Sequence, residues 1–356
     1  MRFDLVNRFI VLLLCSLVFV ECEHPTNESR VPIPQRVAYL SNEGQLPGVF
    51  DLYVKNINDG SVVRLTTTPE PEYNPQFFPD GTKLLYGVAA SDYLTGQVYS
   101  VNIDGSGMVL VADSCKVDPQ RRISGDGTKI AYLQAIGSGW NSSGTPWVAL
   151  INSDGSSKRI ISVGPAECPT FSRDGSIVCY RTATPEPGTE KIMLYRIGSG
   201  QTDSITIPGL LSEILFPQIS PRGDKIAFIA SLGFENHSLY LIDSNGANLS
   251  RLTPPINPVD VRYSPDDSSI LYVKWDGLKE HLYSVSKYGG QPRLLSDTTF
   301  FDSTPEYSVN GSQIIFASDT AQYRISDIVI IDSDGTHRRK ITNSPWEEKE
   351  PCTSPR

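Results

Sequence analysis

The side chains best suited to binding are carboxylates that recur at similar places along the chain. Glu70, Glu72, Asp118, Glu167, Glu213, Asp260, Asp302, Glu347, Glu348 and Glu350 all fall in short segments between apolar runs. Carboxylates gathered on one face would attract a cationic ligand. Standing apart, they are solvated loop charges, as expected where 40 acidic residues outnumber 31 basic ones and the net charge is −9. Aromatic residues interleave with them: Trp140, Trp147, Phe234, Trp275, Tyr323 and Trp346. A loop tryptophan offers low-entropy contact area to a peptide or sugar, or else packs over a core. His237 and His281 hold equivalent places 44 residues apart. With an acidic neighbour they would make a two-histidine metal site, and without one they are exposed loop-edge residues. The second reading is adopted, with no metal and no cofactor expected.

Catalytic signatures are missing. The chain has no G-x-S-x-G, no H-E-x-x-H, no phosphate-cradling G-x-x-x-x-G-K-S/T and no G-x-G-x-x-G. Its D-G turns, such as IDSDGTH ending at His337, lack the spacing of a calcium loop, and turn chemistry accounts for them. An acidic surface argues against a nucleic-acid partner. Cys115, Cys168, Cys179 and Cys352 show no C-x-x-C spacing, so neither zinc nor dithiol chemistry is expected. Cys168 and Cys179 flank the FSRDG turn. A two-residue loop would set them face to face and allow a disulfide; a three-residue loop with a bulge at Gly175 would put them on opposite faces.

What must position these residues is a repeat. An aromatic closing an apolar run recurs as Tyr39, Tyr86, Tyr132, Tyr180, Phe228, Tyr272 and Phe316, at intervals of 47, 46, 48, 48, 44 and 44 residues. Before it stands a tight turn: FFPDG, ISGDG, FSRDG, ISPRG, YSPDD and YSVNG, with TSPR as a seventh copy at Arg356. Proline presets φ and glycine takes φ > 0, which makes these hairpin turns. A second turn carries Gly60, Gly105, Gly155, Gly200, Gly246, Gly290 and Gly335. Four short strands per unit and a period near 45 residues describe a propeller blade. The chain is therefore expected to be all-β, a seven-bladed β-propeller of four-stranded blades. EPCTSPR at the C-terminus supplies the innermost strand missing from the blade that begins at Arg36, which closes the ring. In such blades the S-P-D-G turns crowd one face, and the long second-to-third loops and inter-blade segments occupy the other.

These units resemble the PD40, or TolB-like, WD40-related propeller repeats. The resemblance rests on the S-P-D-G turns, the strands Lys129–Tyr132 and Lys225–Phe228, and the R-L-T ends at Arg64–Thr66 and Arg251–Thr253. It spans residues 36 to 356 and implies a partner protein or peptide at the cell envelope. The same repeat serves non-enzymatic adaptors, peptidase-gating propellers and some carbohydrate-active enzymes. The expected function is thus a non-enzymatic binding or scaffold protein acting through its long-loop face. The alternative is an enzyme resembling oligogalacturonate lyases, with a polysaccharide as partner. The candidate binding residues are Glu72, Asp118, Glu167, Asp302, Glu350, Trp140, Trp275, His237 and His281.

At the N-terminus, Arg2 and Arg8 precede a twelve-residue apolar run, Phe9 to Val20. Too short to span a membrane comfortably, it reads as a signal peptide over residues 1–22. A polar linker over 23–35 then leads to the propeller over 36–356. Ordinary cleavage and a lipid on Cys22 both remain open, and both export the propeller, to the periplasm or the extracellular space. A monomer is expected.

Overall fold

A computed structural model describes residues 36–46, 48–90, 94–117, 123–137, 145–210, 212–232, 236–319 and 325–355, which all lie in one compact unit, Ile33–Arg356. Every regular element there is a strand, numbered β1 to β27 in chain order. Four sheets follow the repeat directly: β11 (Ala166–Phe171) to β14 (Thr202–Thr206), β15 (Leu215–Ile219) to β18 (Ser250–Arg251), β19 (Pro258–Tyr263) to β22 (Arg293–Leu294) and β23 (Phe301–Tyr307) to β26 (Arg339–Lys340). A fifth takes strands from both ends of the chain. Its order is β27 (Glu348–Thr353), β1 (Arg36–Ser41), β2 (Asp51–Asn56) and β3 (Val62–Arg64), all antiparallel neighbours.

The sixth sheet departs from four strands. It runs unbroken from β4 (Glu72–Phe77) to β10 (Arg159–Ile160), because β7 (Val109–Lys116) meets β8 (Lys129–Ile136) through Cys115 and Gln134. Two register shifts between β6 (Thr95–Asn102) and β7 bend the end of β7 across, and the Gln134 side-chain amide donates to the Ser114 carbonyl at 2.9 Å. In the segment expected to be the innermost strand of the third repeat, residues 118–122, including Asp118, lie outside the described residues, and Ile123 bridges to Ile130 of β8.

Three local devices recur. The recurrent aromatic of each second strand is buried, from 4 % exposed at Tyr39 to 0 % at Tyr132, Phe228, Tyr272 and Phe316. Four of them stack on the residue directly opposite in the next strand: Tyr39 on Tyr53, Tyr86 on Tyr99, Phe228 on Tyr240 and Tyr272 on Tyr283. Each core cluster combines residues from two neighbouring repeats, as where Leu271 and Val273 meet Ile314 and Phe316, so inter-sheet packing buries the apolar faces.

The second device is a hydroxyl clasp. Thr66, Ser162, Thr253, Ser296 and Thr342 end short outer runs, and each accepts the backbone N–H of the residue 14 positions earlier: Leu52, Val148, Leu239, Leu282 and Ile328, at 2.8 to 3.1 Å. The clasp satisfies a buried donor just beyond the short fourth strand.

The third is a bulge in the innermost strand. Asn74, Cys168, Phe216, Asp260, Thr304 and Glu350 all have φ between 49° and 57°, at the same place in their repeats. Five of the six precede proline, which cannot donate to a strand ladder and is tolerated where the ladder is interrupted. The register shifts at each of these positions.

One turn solves its backbone problem differently. Asp267 stands where the other turns have glycine, at φ 63°. Its carboxylate is buried against Lys287 Nζ at 2.5 Å, and Arg222 approaches at 3.5 Å.

Removing a ring from the buried aromatic set leaves a cavity between sheets, so Tyr132→Ala is expected to lose about 3 to 5 kcal/mol of stability in urea denaturation. A loss below about 1 kcal/mol would show that this ring is not part of the core.

Candidate functional site

The inter-blade carboxylates, read either as one gathered face or as separate solvated charges, fall into two groups. Glu72 and Asp302 are 2 % and 0 % exposed, and each accepts hydrogen bonds inside the protein. The Thr66 and Thr68 hydroxyls donate to Glu72 at 2.6 and 3.1 Å, and Ser318 donates to Asp302 at 2.5 Å. Burial pushes the Glu72 carboxyl up to about 8 and raises that of Asp302 as well. Glu350 lies on a bulge and accepts the Asn74 backbone N–H across the contact between β27 and β4. The inter-blade segments therefore hold carboxylates that join sheets as well as carboxylates that face solvent.

Glu167 belongs to an ion-pair network. Arg181, 10 % exposed in its side chain, contacts Glu167 at 2.5 Å, Glu190 at 2.7 Å and Glu213 at 3.5 Å. Glu190 also accepts the Ile214 N–H, and burial raises its carboxyl pKa although Arg181 opposes the shift. Three acids around one guanidinium leave net negative charge, and its exposed part is Glu213, at 53 %.

The two histidines have separate surroundings. His281 is 2 % exposed inside β21 (Glu280–Ser286), where Nε2 contacts the Asp276 carboxylate at 3.1 Å. Its place in the strand rather than the loop explains the burial, and the reading of an exposed loop-edge residue is corrected. His237 is half-buried, and its backbone N–H donates to Asn257 Oδ1 at 3.0 Å. Among the described residues no group of three or more His, Cys, Asp or Glu side chains is placed to hold a metal ion. Trp140 lies outside the described residues. Trp275 is 45 % exposed with its edge on the Phe301 ring.

No disulfide joins Cys168 and Cys179. The turn sets Ser172 opposite Ile177, so Cys179 pairs with Thr170, while Cys168 falls within the bulge. Both registers left open by the sequence assume a shorter turn than this one, and neither includes a bulge at Cys168.

Two surfaces stand out. On the long-loop side, Leu46, Val163, Trp275, Leu278 and Trp346 are 74, 90, 45, 82 and 37 % exposed, and the inter-blade segments of that side also expose Glu70 and Glu213. On the short-turn side, a cavity of about 340 Å³ is lined by residues from all six sheets, with Arg262, Glu306 and Tyr307 in its wall. Around it stand the second residues of the seven short turns, Pro79, Gly125, Arg173, Pro221, Pro265, Val309 and Pro355. The Arg173 guanidinium reaches across to the Pro265 carbonyl at 2.8 Å. The inner layer has its own sequence signal: NPQF, CPTF, FPQI, TPEY and EPCT mark five of the six bulges, each with proline after the bulged residue.

Comparison with known proteins agrees with this architecture. The profile of the PD40 family, described as the TolB beta propeller domain, matches residues 128–356. The Tol-Pal system protein TolB of Francisella tularensis is 25 % identical over 239 residues, which are 64 % of this chain and 53 % of that protein. The chain thus spans about half the length of the curated relatives it matches. Among solved structures, TolB from Acinetobacter baumannii superposes with a TM-score of 0.54 at 17 % identity, covering 92 % of this chain and 68 % of that one. An oligogalacturonate lyase in complex with manganese gives 0.58 at 13 % identity, covering 87 % and 86 %. At such identities these superpositions establish the fold alone.

If Arg181 chiefly neutralises its buried neighbours, Arg181→Met strands Glu190 and is expected to lose about 3 to 5 kcal/mol of stability. Glu213→Gln, at the exposed edge, is expected to change stability by less than about 1 kcal/mol. Urea denaturation of both variants checks the contrast.

Proposed function

Because the chain belongs to the TolB beta propeller domain family, we propose that it is an exported, non-enzymatic binding protein that engages a protein partner at the cell envelope. In this reading the sheets are seven blades of one closed ring, with the seven-stranded sheet counting as two blades. The partner docks on the long-loop face. The observation that carries the reading is the set of large apolar side chains standing exposed there, Leu46, Val163, Trp275, Leu278 and Trp346, on a side that also exposes Glu70 and Glu213. Exposed apolar groups rimmed by charge are the mark of a protein-binding surface. A partner presenting apolar anchors flanked by lysine or arginine complements it. The short-turn face carries fewer such groups, chiefly Tyr288 and Val309 at 81 and 51 % exposed.

Affinity capture from an envelope extract of the source organism, using residues 23–356 as bait, tests the reading. A specific partner is expected to be retained by the unaltered bait and reduced at least about tenfold by Leu278→Ser with Trp346→Ala. Glu213→Gln is expected to weaken it further at low salt. No partner with any bait, or equal retention by all, would refute the assignment.

A further inference from the structure

The sheet built from both ends of the chain is flanked on either side by the same polar constellation, whose aspartate, threonine and glutamate are buried and whose cation is partly exposed. At its junction with β4 the residues are Asp51, Arg64, Thr66, Thr68 and Glu72. At its junction with the β23–β26 sheet they are Asp327, Lys340, Thr342, Ser344 and Glu348. Each member of the second set lies 276 positions after its counterpart. Contacts repeat with the residues. Arg64 pairs with Asp51 as Lys340 pairs with Asp327. Thr68 donates to Glu72 at 3.1 Å as Ser344 donates to Glu348 at 2.9 Å. Thr66 and Thr342 accept the N–H groups of Leu52 and Ile328, both at 2.8 Å, and each stands beside its glutamate.

In both places the cation is taken by the aspartate. Glu72 and Glu348, 2 % and 3 % exposed, have no ion-pair partner among the described residues. The charged and titratable groups facing Glu72 are Asp51, with its Arg64, and the Tyr86 phenol. Those facing Glu348 are Asp327, with its Lys340, the Tyr39 phenol, and Lys55, whose ammonium is bonded to the Ile341 carbonyl. An ionised glutamate in either position would be a second buried negative charge beside an aspartate.

We propose that Glu72 and Glu348 form a paired proton latch: protonated, they hold the sheet of β27, β1, β2 and β3 to its two neighbours, and loss of their protons loosens that sheet. The device concerns the sheet that unites the chain ends and is independent of any partner. Burial raises the two carboxyls, Glu72 to about 8 and Glu348 to about 7, with Asp51 and Asp327 adding to the rise and the hydroxyls opposing it. A carboxyl raised on folding stabilises the closed state below its ordinary pKa of about 4.5, and that stabilisation is lost as pH climbs through the raised value. The window is therefore pH 5 to 9, with release on the alkaline side.

Cys352 reports on the latch, because it lies on β27 and is 1 % exposed, whereas the buried Cys179 belongs to a distant sheet. The full chain is labelled with a maleimide between pH 6 and 9, and the modified cysteine is located by mass spectrometry. Each rate is divided by that of the urea-unfolded chain at the same pH. Protection of Cys352 is expected to fall at least about tenfold between pH 6 and 9 while Cys179 stays protected. Glu72→Gln with Glu348→Gln, which keeps the shapes but cannot ionise, is expected to hold the change within about twofold. The single Glu72→Gln variant, expected to show an intermediate fall, serves if the double variant does not fold. A flat profile in the unaltered chain, an equal fall in the variants, or simultaneous exposure of Cys179 would each overturn the proposal.

Discussion

The pairing of β1 with β27 is the constraint on which the rest depends. Val37 lies opposite Thr353, and Ser354 exchanges hydrogen bonds with Arg36 across 318 positions of sequence. Bringing such distant segments together costs about 5 kcal/mol of chain entropy before any contact compensates. The compensation comes from burial. Ala38, Leu40, Leu52 and Cys352 share one core cluster with Leu84 and Tyr86 of the next sheet, and Tyr39 and Tyr53 share another with Ile315 and Ile330 of the preceding one. A sheet assembled from both ends can pack only when both neighbours are in place, so its two flanking junctions are where cooperativity is concentrated.

Junctions elsewhere meet the same requirements with different chemistry. The hydroxyl clasp serves five repeats, but only some add an acid beyond it. Asp302 takes that place beside Ser296 and Ser318, near an Arg338 guanidinium stacked over Phe300. Around Arg181 the need is met by charge pairing, and around Asp267 by a buried lysine. Near-identical backbones thus tolerate large changes in electrostatics from one junction to the next. This is why carboxylates at equivalent places in the repeat do unlike work, and why only those left in solvent are available to a ligand.

Much of the fold was legible because it follows from local rules repeated many times. Period, turn glycines and strand-closing aromatics gave the strands, and the proposed blade count extends the same reading. The site was far less legible. Glu72 and Glu213 both read as acidic loop residues, yet one lies under two threonine hydroxyls and the other stands in water. Their difference is set by neighbours that are distant in sequence, and the spacing of acids cannot reveal it. The Cys168–Cys179 register stayed open for a related reason: a longer turn and a bulge at Cys168 decide it, and only the proline after Cys168 announces the bulge.

By itself, then, the sequence determined an all-β chain, the places of its turns and the recurrent buried aromatics, since backbone propensity and the burial of apolar area act within each repeat. The tertiary structure alone decided which carboxylates are buried, that His281 faces inward, that β7 pairs with β8 through Cys115 and Gln134, and that one five-residue constellation appears on both sides of the sheet joining the chain ends. Those outcomes depend on the dielectric and hydrogen-bond environment created where sheets meet, which exists only after residues hundreds of positions apart have come into contact.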